Sequence, residues 1–155
     1  MGSYREIKGD LLDLFDKGEF NVIAHGANCC SVMGAGIALQ IKKKFPKAYY
    51  CDLFDTRTEA QKFGSFSVTA IDKPDGNLYL VYNLYTQYHP GPNAELTALK
   101  NSLRAMCLDL IDPEGFKIGL PLIGCGIGGL DFETQVKPII KEELKDMNVT
   151  ICKLK

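Results

Sequence analysis

The chain has 155 residues, 46% of them hydrophobic and 24% charged, with a formal net charge of −1. That is the composition of one globular domain with a real core, and it excludes a disordered chain. The near-zero charge implies no general affinity for nucleic acid, and no apolar run approaches the roughly 20 residues of a membrane helix. The N-terminus runs straight into charged residues, so no secretory signal is expected. Six cysteines, at 29, 30, 51, 107, 125 and 152, are scattered without a Cys-x-x-Cys pair. That pattern predicts reduced thiols in a cytoplasmic protein. With two histidines and no ligand spacing, no metal is expected.

Tyr4 to Lys8 predicts a first strand, ended by Gly9-Asp10. Leu11, Leu12, Leu14 and Phe15 predict a brief amphipathic helix closed by Gly18. Phe20 to Ala24 is apolar enough for a buried strand. Small and polar residues follow, with glycines at 26, 34 and 36; then Ile37, Ile41 and Phe45 recur four apart, a helical face stopped by Pro46. Residues 47–57 are expected to form another helix, with Tyr50, Leu53 and Phe54 inward.

Ser67 to Ile71 alternates like a strand, Lys73 to Asn77 reads as a hairpin turn, and Leu78 to Leu84 is its central partner. Pro90-Gly91-Pro92 breaks the chain and Asn93 is expected to cap the helix that follows, whose Leu96, Leu99, Leu103, Met106 and Leu110 step by three and four. A turn is expected at 112–115, a strand from Phe116 to Ile123, a glycine-rich loop, a helix from about Asp131 with Val136, Ile139, Ile140 and Leu144 inward, and a last strand from Val149 to Leu154. Interleaved strands and helices with one hairpin predict a single α/β domain, a mixed, roughly six-stranded sheet between helix layers.

Twice the order is strand, glycine-bearing loop, helix: at 24–38 and at 120–131. Backbone N–H groups at a helix N-terminus are unpaired and favour an anion, and glycine lets the backbone approach it closely. Two such loops can grip two adjacent phosphates, and in an open α/β sheet they belong at the carboxyl ends of the strands. Asn28 offers donor and acceptor together, suited to a ribose hydroxyl pair or to an Asx-turn. His25, near its strand's end, points either into the cleft or into the core; an imidazole in the cleft can protonate a leaving oxygen or orient water. Asp131 reads equally as a general base and as an N-cap. Cys125 sits in a glycine loop with no base nearby in sequence, which speaks against a nucleophile. His89, on the loop after a central strand, reads as exposed rather than as lining a ribose.

The wording of these segments goes further. His25-x-x-Asn28, the run Met33-Gly34-Ala35-Gly36-Ile37-Ala38-Leu39-Gln40, and Lys43-Lys44-Phe45-Pro46 resemble the first ligand loop of macrodomains. Gly124-Cys125-Gly126-Ile127-Gly128-Gly129-Leu130-Asp131 resembles the second, and Lys8-Gly9-Asp10-Leu11 the adenine-binding turn. The resemblance implies a three-layer α/β/α macrodomain over residues 1–155 that binds ADP-ribose. It implies that the Asp10 carboxylate, which by its position can also cap the short helix that follows, and the Leu11 amide read adenine, and that Asn28 contacts the distal ribose. It also implies that Gly34, Ala35, Gly36 and Ile37, with Gly126, Ile127, Gly128 and Gly129, lend amides to the phosphates. Phe132 and the last strand are candidates for stacking on adenine.

A histidine three residues before the ribose Asn is similar to the ADP-ribose 1''-phosphate phosphatase branch. The loops also look like two hydrolase branches that remove ADP-ribose from protein or from DNA. Both use a lysine after a threonine, able to form a covalent adduct with the opened sugar. Here Gln87 follows Thr86, and the glycohydrolase branch's second-loop Asp is matched by Gly128. The expectation is therefore hydrolysis of the terminal phosphate of ADP-ribose 1''-phosphate, with His25 and Asp131 as catalytic residues. The alternatives are a reader of ADP-ribose without turnover and a hydrolase acting on modified protein or DNA. No cofactor and no membrane are expected, nucleic acid only if ADP-ribosylated, and the chain is expected to be a monomer.

Overall fold

A computed structural model describes residues 2–111 and 115–154. Six strands form one sheet: β1 (Ser3–Lys8), β2 (Val22–Asn28), β3 (Phe66–Ile71), β4 (Tyr79–Gln87), β5 (Lys117–Leu120) and β6 (Asn148–Lys153). Their order is β1-β6-β5-β2-β4-β3, and every neighbouring pair is parallel except the β3–β4 hairpin. The carboxyl ends of five parallel strands therefore share one rim. This is the mixed sheet the sequence predicts, with helices on both faces.

Alternation along β2 shows how the layers divide, because successive side chains in a strand point to opposite faces. Val22 and Ala24 join the larger core with Leu99, Leu103 and Met106 of α5 (Leu96–Asp109) and Ile140 of α6 (Lys137–Glu143). Ile23 joins the other, with Leu11 and Phe15 of α1 (Leu11–Asp16) and Ile41 of α2 (Gly36–Lys44). His25 is next in register with Ile23 and so faces the second layer, where α3 (Pro46–Leu53) also lies. Leu99, Leu103 and Met106 are each 0% exposed, worth about 1.5–3 kcal/mol apiece on removal from water.

The expected inward face of α3 is corrected. Tyr50, Leu53 and Phe54 are 51%, 42% and 71% exposed, while Ala48 and Asp52, one turn apart, are buried. The small Ala48 lets the helix backbone approach the sheet closely enough for Asn83 Nδ2 to donate to the Ala48 carbonyl at 3.0 Å. A short helix, α4 (Glu59–Lys62), was not anticipated, although Thr58 and Gln61 form a capping box that marks it.

Helix α5 starts later than expected: Asn93 does not cap it but donates from Nδ2 to the His89 carbonyl at 2.9 Å, and Glu95 holds the cap position. Strand β5 stops at Leu120 because Pro121 has no N–H for the ladder, and β4 runs on to Gln87. After Asp131 the first turn is π-helical, Phe132–Val136, before α6 begins. Residues 112–114 of the expected turn lie outside the described residues.

Candidate functional site

Two loops flank the middle of the rim. The first leaves β2 at Asn28 and enters α2 at Gly36. The cap position of α2 is Ala35, which has no acceptor, and no side chain caps the helix. Its first-turn N–H groups are therefore without side-chain partners, and the helix dipole adds to their pull on an anion. Gly36 has φ +57°, and nothing lies within 4 Å of where its Cβ would be. A side chain there would be strained and would project into open space beside the helix start.

The second loop leaves β5, the neighbour of β2. It folds on itself through Cys125 N–H to Leu122 O (3.1 Å), Gly129 N–H to Gly126 O (3.3 Å) and Leu130 N–H to Gly124 O (3.0 Å). The Ala94 N–H, just before α5, donates to Gly128 O at 3.2 Å. A Cβ at Gly128 would lie 2.6 Å from the Gly124 carbonyl oxygen, so only glycine fits without moving backbone. Gly126 faces open space, and Ile127 is 57% exposed.

The structure thus places Asn28 at, and Asp10, Leu11, Gly34 to Ile37 and Gly126 to Gly129 beyond, the carboxyl ends of parallel strands. From β1 to β4 is four strand spacings, about 19 Å at the usual ~4.8 Å each.

The side chains expected to act are mostly engaged. Asp10 caps α1: its Oδ1 accepts from Leu12 N–H (3.0 Å) and Asp13 N–H (3.1 Å). Both bonds fall on one oxygen of an exposed carboxylate, which has a second oxygen for another donor. Asn28 braces its loop: Oδ1 accepts from the N–H groups of Cys30 (3.0 Å) and Val32 (3.2 Å), and Nδ2 donates to Val32 O at 2.8 Å. A ribose contact there would exchange one of these bonds. Asp131 accepts from Thr134 N–H at 2.9 Å and from the Thr134 hydroxyl at 2.5 Å, the N-cap arrangement. These bonds hold its carboxyl below the usual carboxylate range. Burial pushes the Cys125 thiol up to about 11, so it stays protonated at neutral pH and is a poor nucleophile. Gln87 donates from Nε2 to the carbonyls of His89 (2.6 Å) and Gly91 (3.1 Å), closing the loop after β4. His89 is exposed, as the sequence suggests.

Of the two orientations open to His25, the structure has the core. The ring is 0% exposed and its Nε2 lies 2.6 Å from Asn83 Oδ1. The Asn83 amide nitrogen donates to Ala48 O and to Ser67 Oγ, both at 3.0 Å, so its oxygen accepts and the imidazole carries its proton on Nε2. Burial holds the ring's pKa below its ordinary value, so it is neutral at pH 7. The expected proton donor in the cleft is thereby corrected: the His25 ring is buried in the core and does not present itself on the rim.

What sequence reasoning missed is the network that His25 leads to. Lys62 Nζ lies 3.0 Å from Asp52 Oδ1, with the two side chains only 4% and 0% exposed. The Tyr85 hydroxyl donates to the same oxygen at 2.6 Å, and Ser31 Oγ does so at 3.1 Å. Lys62 also donates to Ser31 Oγ (3.2 Å) and to Cys29 O (3.5 Å). The hydroxyls of Ser67 and Tyr85, 2.7 Å apart, connect this group to Asn83. Ser31 sits at φ +58°, a conformation costly for a non-glycine residue, and these bonds hold it there. The available signal was the alternation of Asn83 and Tyr85 on one face of an otherwise apolar strand.

Comparison with known proteins agrees with this geometry. The Macro domain family model matches residues 24–139. An uncharacterised 17.5 kDa protein of Enterobacteria phage T4 is 42% identical over 127 residues, 79% of this chain and 78% of that protein. The human ADP-ribose glycohydrolase OARD1 is 30% identical over 150 residues, 96% of this chain and 90% of that protein. An ADP-ribose 1''-phosphate phosphatase of Aspergillus oryzae is 34% identical over 74 residues, 48% of this chain and 34% of that protein. Among solved structures, the macrodomain of Thermus aquaticus DarG superimposes with a TM-score of 0.77 at 25% identity, covering 98% of this chain and 99% of that one. With a family model spanning most of its length, a relative 30% identical over nearly the whole chain and a matching fold, the chain belongs to the Macro domain family.

Proposed function

We propose that this protein binds ADP-ribose along the rim and hydrolyses the terminal phosphate of ADP-ribose 1''-phosphate. The observation that carries the reading is the pair of loops on neighbouring strands, one with an uncapped helix start and one held chiefly by backbone hydrogen bonds. Adenine lies at the β1 end against Asp10 and Leu11, the pyrophosphate between Gly34–Ile37 and Gly126–Gly129, and the distal ribose beside Asn28.

The chemistry follows from what the rim offers. Transfer of a phosphoryl group to water passes through a loose transition state, for which positioning and charge stabilisation do most of the work. Amide donors aimed at the phosphoryl oxygens supply that stabilisation without a charged side chain. Removal of ADP-ribose through a lysine adduct is disfavoured, because Gln87 stands at the matching position and its amide nitrogen is bound to two carbonyls. His25 takes the part of a positioning residue, acting through Asn83 on the network under the first loop; Asp131 caps the turn after the second.

A second reading is binding without turnover, favoured by the burial of His25 in the core and the engagement of Asp131 as a helix cap. Titration with ADP-ribose and release of inorganic phosphate from ADP-ribose 1''-phosphate separate the two. The first reading predicts binding and phosphate release; binding with no release supports the second, and no binding overturns both. Incubation with ADP-ribosylated protein and DNA is expected to liberate no ADP-ribose.

A further inference from the structure

We infer that the protein binds one divalent transition-metal ion, zinc by its chemistry, through Cys30, Glu59 and His89. Their donor atoms, one thiol sulfur, one carboxylate oxygen and one imidazole nitrogen, all lie within 4.8 Å of one another. The Cys30 sulfur is 3.3 Å from His89 Nδ1. In a tetrahedral zinc site, bonds of about 2.3 Å to sulfur and about 2.0–2.1 Å to nitrogen put those two atoms about 3.6 Å apart, close to what is seen. A thiolate, an imidazole and a carboxylate are the donor types that zinc takes, whereas calcium and magnesium take oxygen alone. Three protein ligands leave a fourth position for water.

The three residues come from separate segments: the loop after β2, the first residue of α4, and the loop after β4. Those segments are braced against one another independently of any ion. Phe63, next after α4, stacks on Tyr88, next before His89, with ring centroids 4.2 Å apart. Lys62 of α4 donates to Cys29 O and Ser31 Oγ on either side of Cys30. The His89 carbonyl accepts from Gln87 Nε2 and Asn93 Nδ2, fixing its loop. The donors are thus held near one another by contacts that do not use them, which lowers the ordering cost of coordination. The Cys30 N–H donates to Asn28 Oδ1, so the ion would sit two residues from the loop's central brace.

The test uses the whole protein without nucleotide, so it fails or succeeds apart from the proposed function. Cobalt(II) titrated into metal-free, reduced protein should give the visible bands of a tetrahedral site and a sulfur-to-cobalt charge-transfer band at one equivalent, bleached by one equivalent of zinc. Cys30→Ser should abolish the charge-transfer band, His89→Gln and Glu59→Gln should each weaken binding by at least roughly tenfold, and Cys107→Ser, on α5, should change nothing. Circular dichroism of each variant checks that it is folded. Absence of a tetrahedral cobalt spectrum, or a charge-transfer band that survives in folded Cys30→Ser, overturns the assignment.

Discussion

The two loops that flank the rim are built by opposite means. The first is shaped from beneath by side chains: Asn28 braces it at three points, and the buried Lys62–Asp52 pair holds Ser31 in a left-handed conformation. The second is shaped by backbone hydrogen bonds, with Gly128 where a Cβ would strike the Gly124 carbonyl. A loop held by side chains can be broken from far away, by a residue that touches no ligand. A loop held by glycine geometry can be broken only in place, and there by a single methyl group.

The largest expected effect tests the first half of that contrast. Asp52→Ala leaves the Lys62 ammonium buried without its counter-charge, which should cost about 3–5 kcal/mol in urea unfolding. Asp52→Leu combined with Lys62→Met should recover most of that stability, because no charge remains buried, while ADP-ribose affinity stays impaired through loss of the Ser31 support. Next is Gly128→Ala. Its methyl meets the Gly124 carbonyl, so the loop must shift; ADP-ribose affinity should fall roughly tenfold or more, at a stability cost of about 1–3 kcal/mol. Gly126→Ala, which meets open space, should leave folding unchanged, and equal stability losses at the two positions would contradict the contrast.

A smaller effect concerns pH. The His25 pKa is lowered in the folded state from its ordinary 6.5, so between the two values the unfolded chain binds more protons. Stability is therefore full above about pH 6.5 and falls as pH drops below it, by up to about 1.4 kcal/mol per pH unit. Urea midpoints measured from pH 8 to 5 should show that fall, and His25→Gln should flatten it. The smallest effect is expected of Asp131→Asn, which keeps an oxygen for the Thr134 N–H. Phosphate release should stay within roughly twofold of wild type; a loss of a hundredfold would restore Asp131 as the general base.

The same contrast explains what could be read from the sequence. The second loop is local: its glycines, its strand and its helix are consecutive, so Gly124 to Asp131 announce their arrangement directly. The β2 exit and the start of α2 are legible for the same reason. The support of the first loop is not local. Asp52 and Lys62 lie on two helices separated by a loop, and charged residues default to the surface, so nothing in their spacing marks a buried pair. For that reason hydrophobicity points the larger residues Tyr50, Leu53 and Phe54 inward, although the sheet face opposite α3 carries Asn83, Tyr85, Ser67 and His25 and receives Asp52 instead. Alternation along β2 sends His25 away from Ala24 but does not say what it meets. Cys30, Glu59 and His89 are about 30 residues apart in sequence and converge only through the fold.

The measurement that bears most directly on the central claim is amide chemical-shift mapping of the isotope-labelled protein titrated with ADP-ribose. The account predicts the largest shifts at the backbone amides of Ala35, Gly36 and Ile37 and of Gly126, Ile127, Gly128 and Gly129, saturating together. Saturable shifts confined to the opposite end of the sheet, around Gly18, Asn21 and Asn77, or no shifts at millimolar ligand, would contradict it.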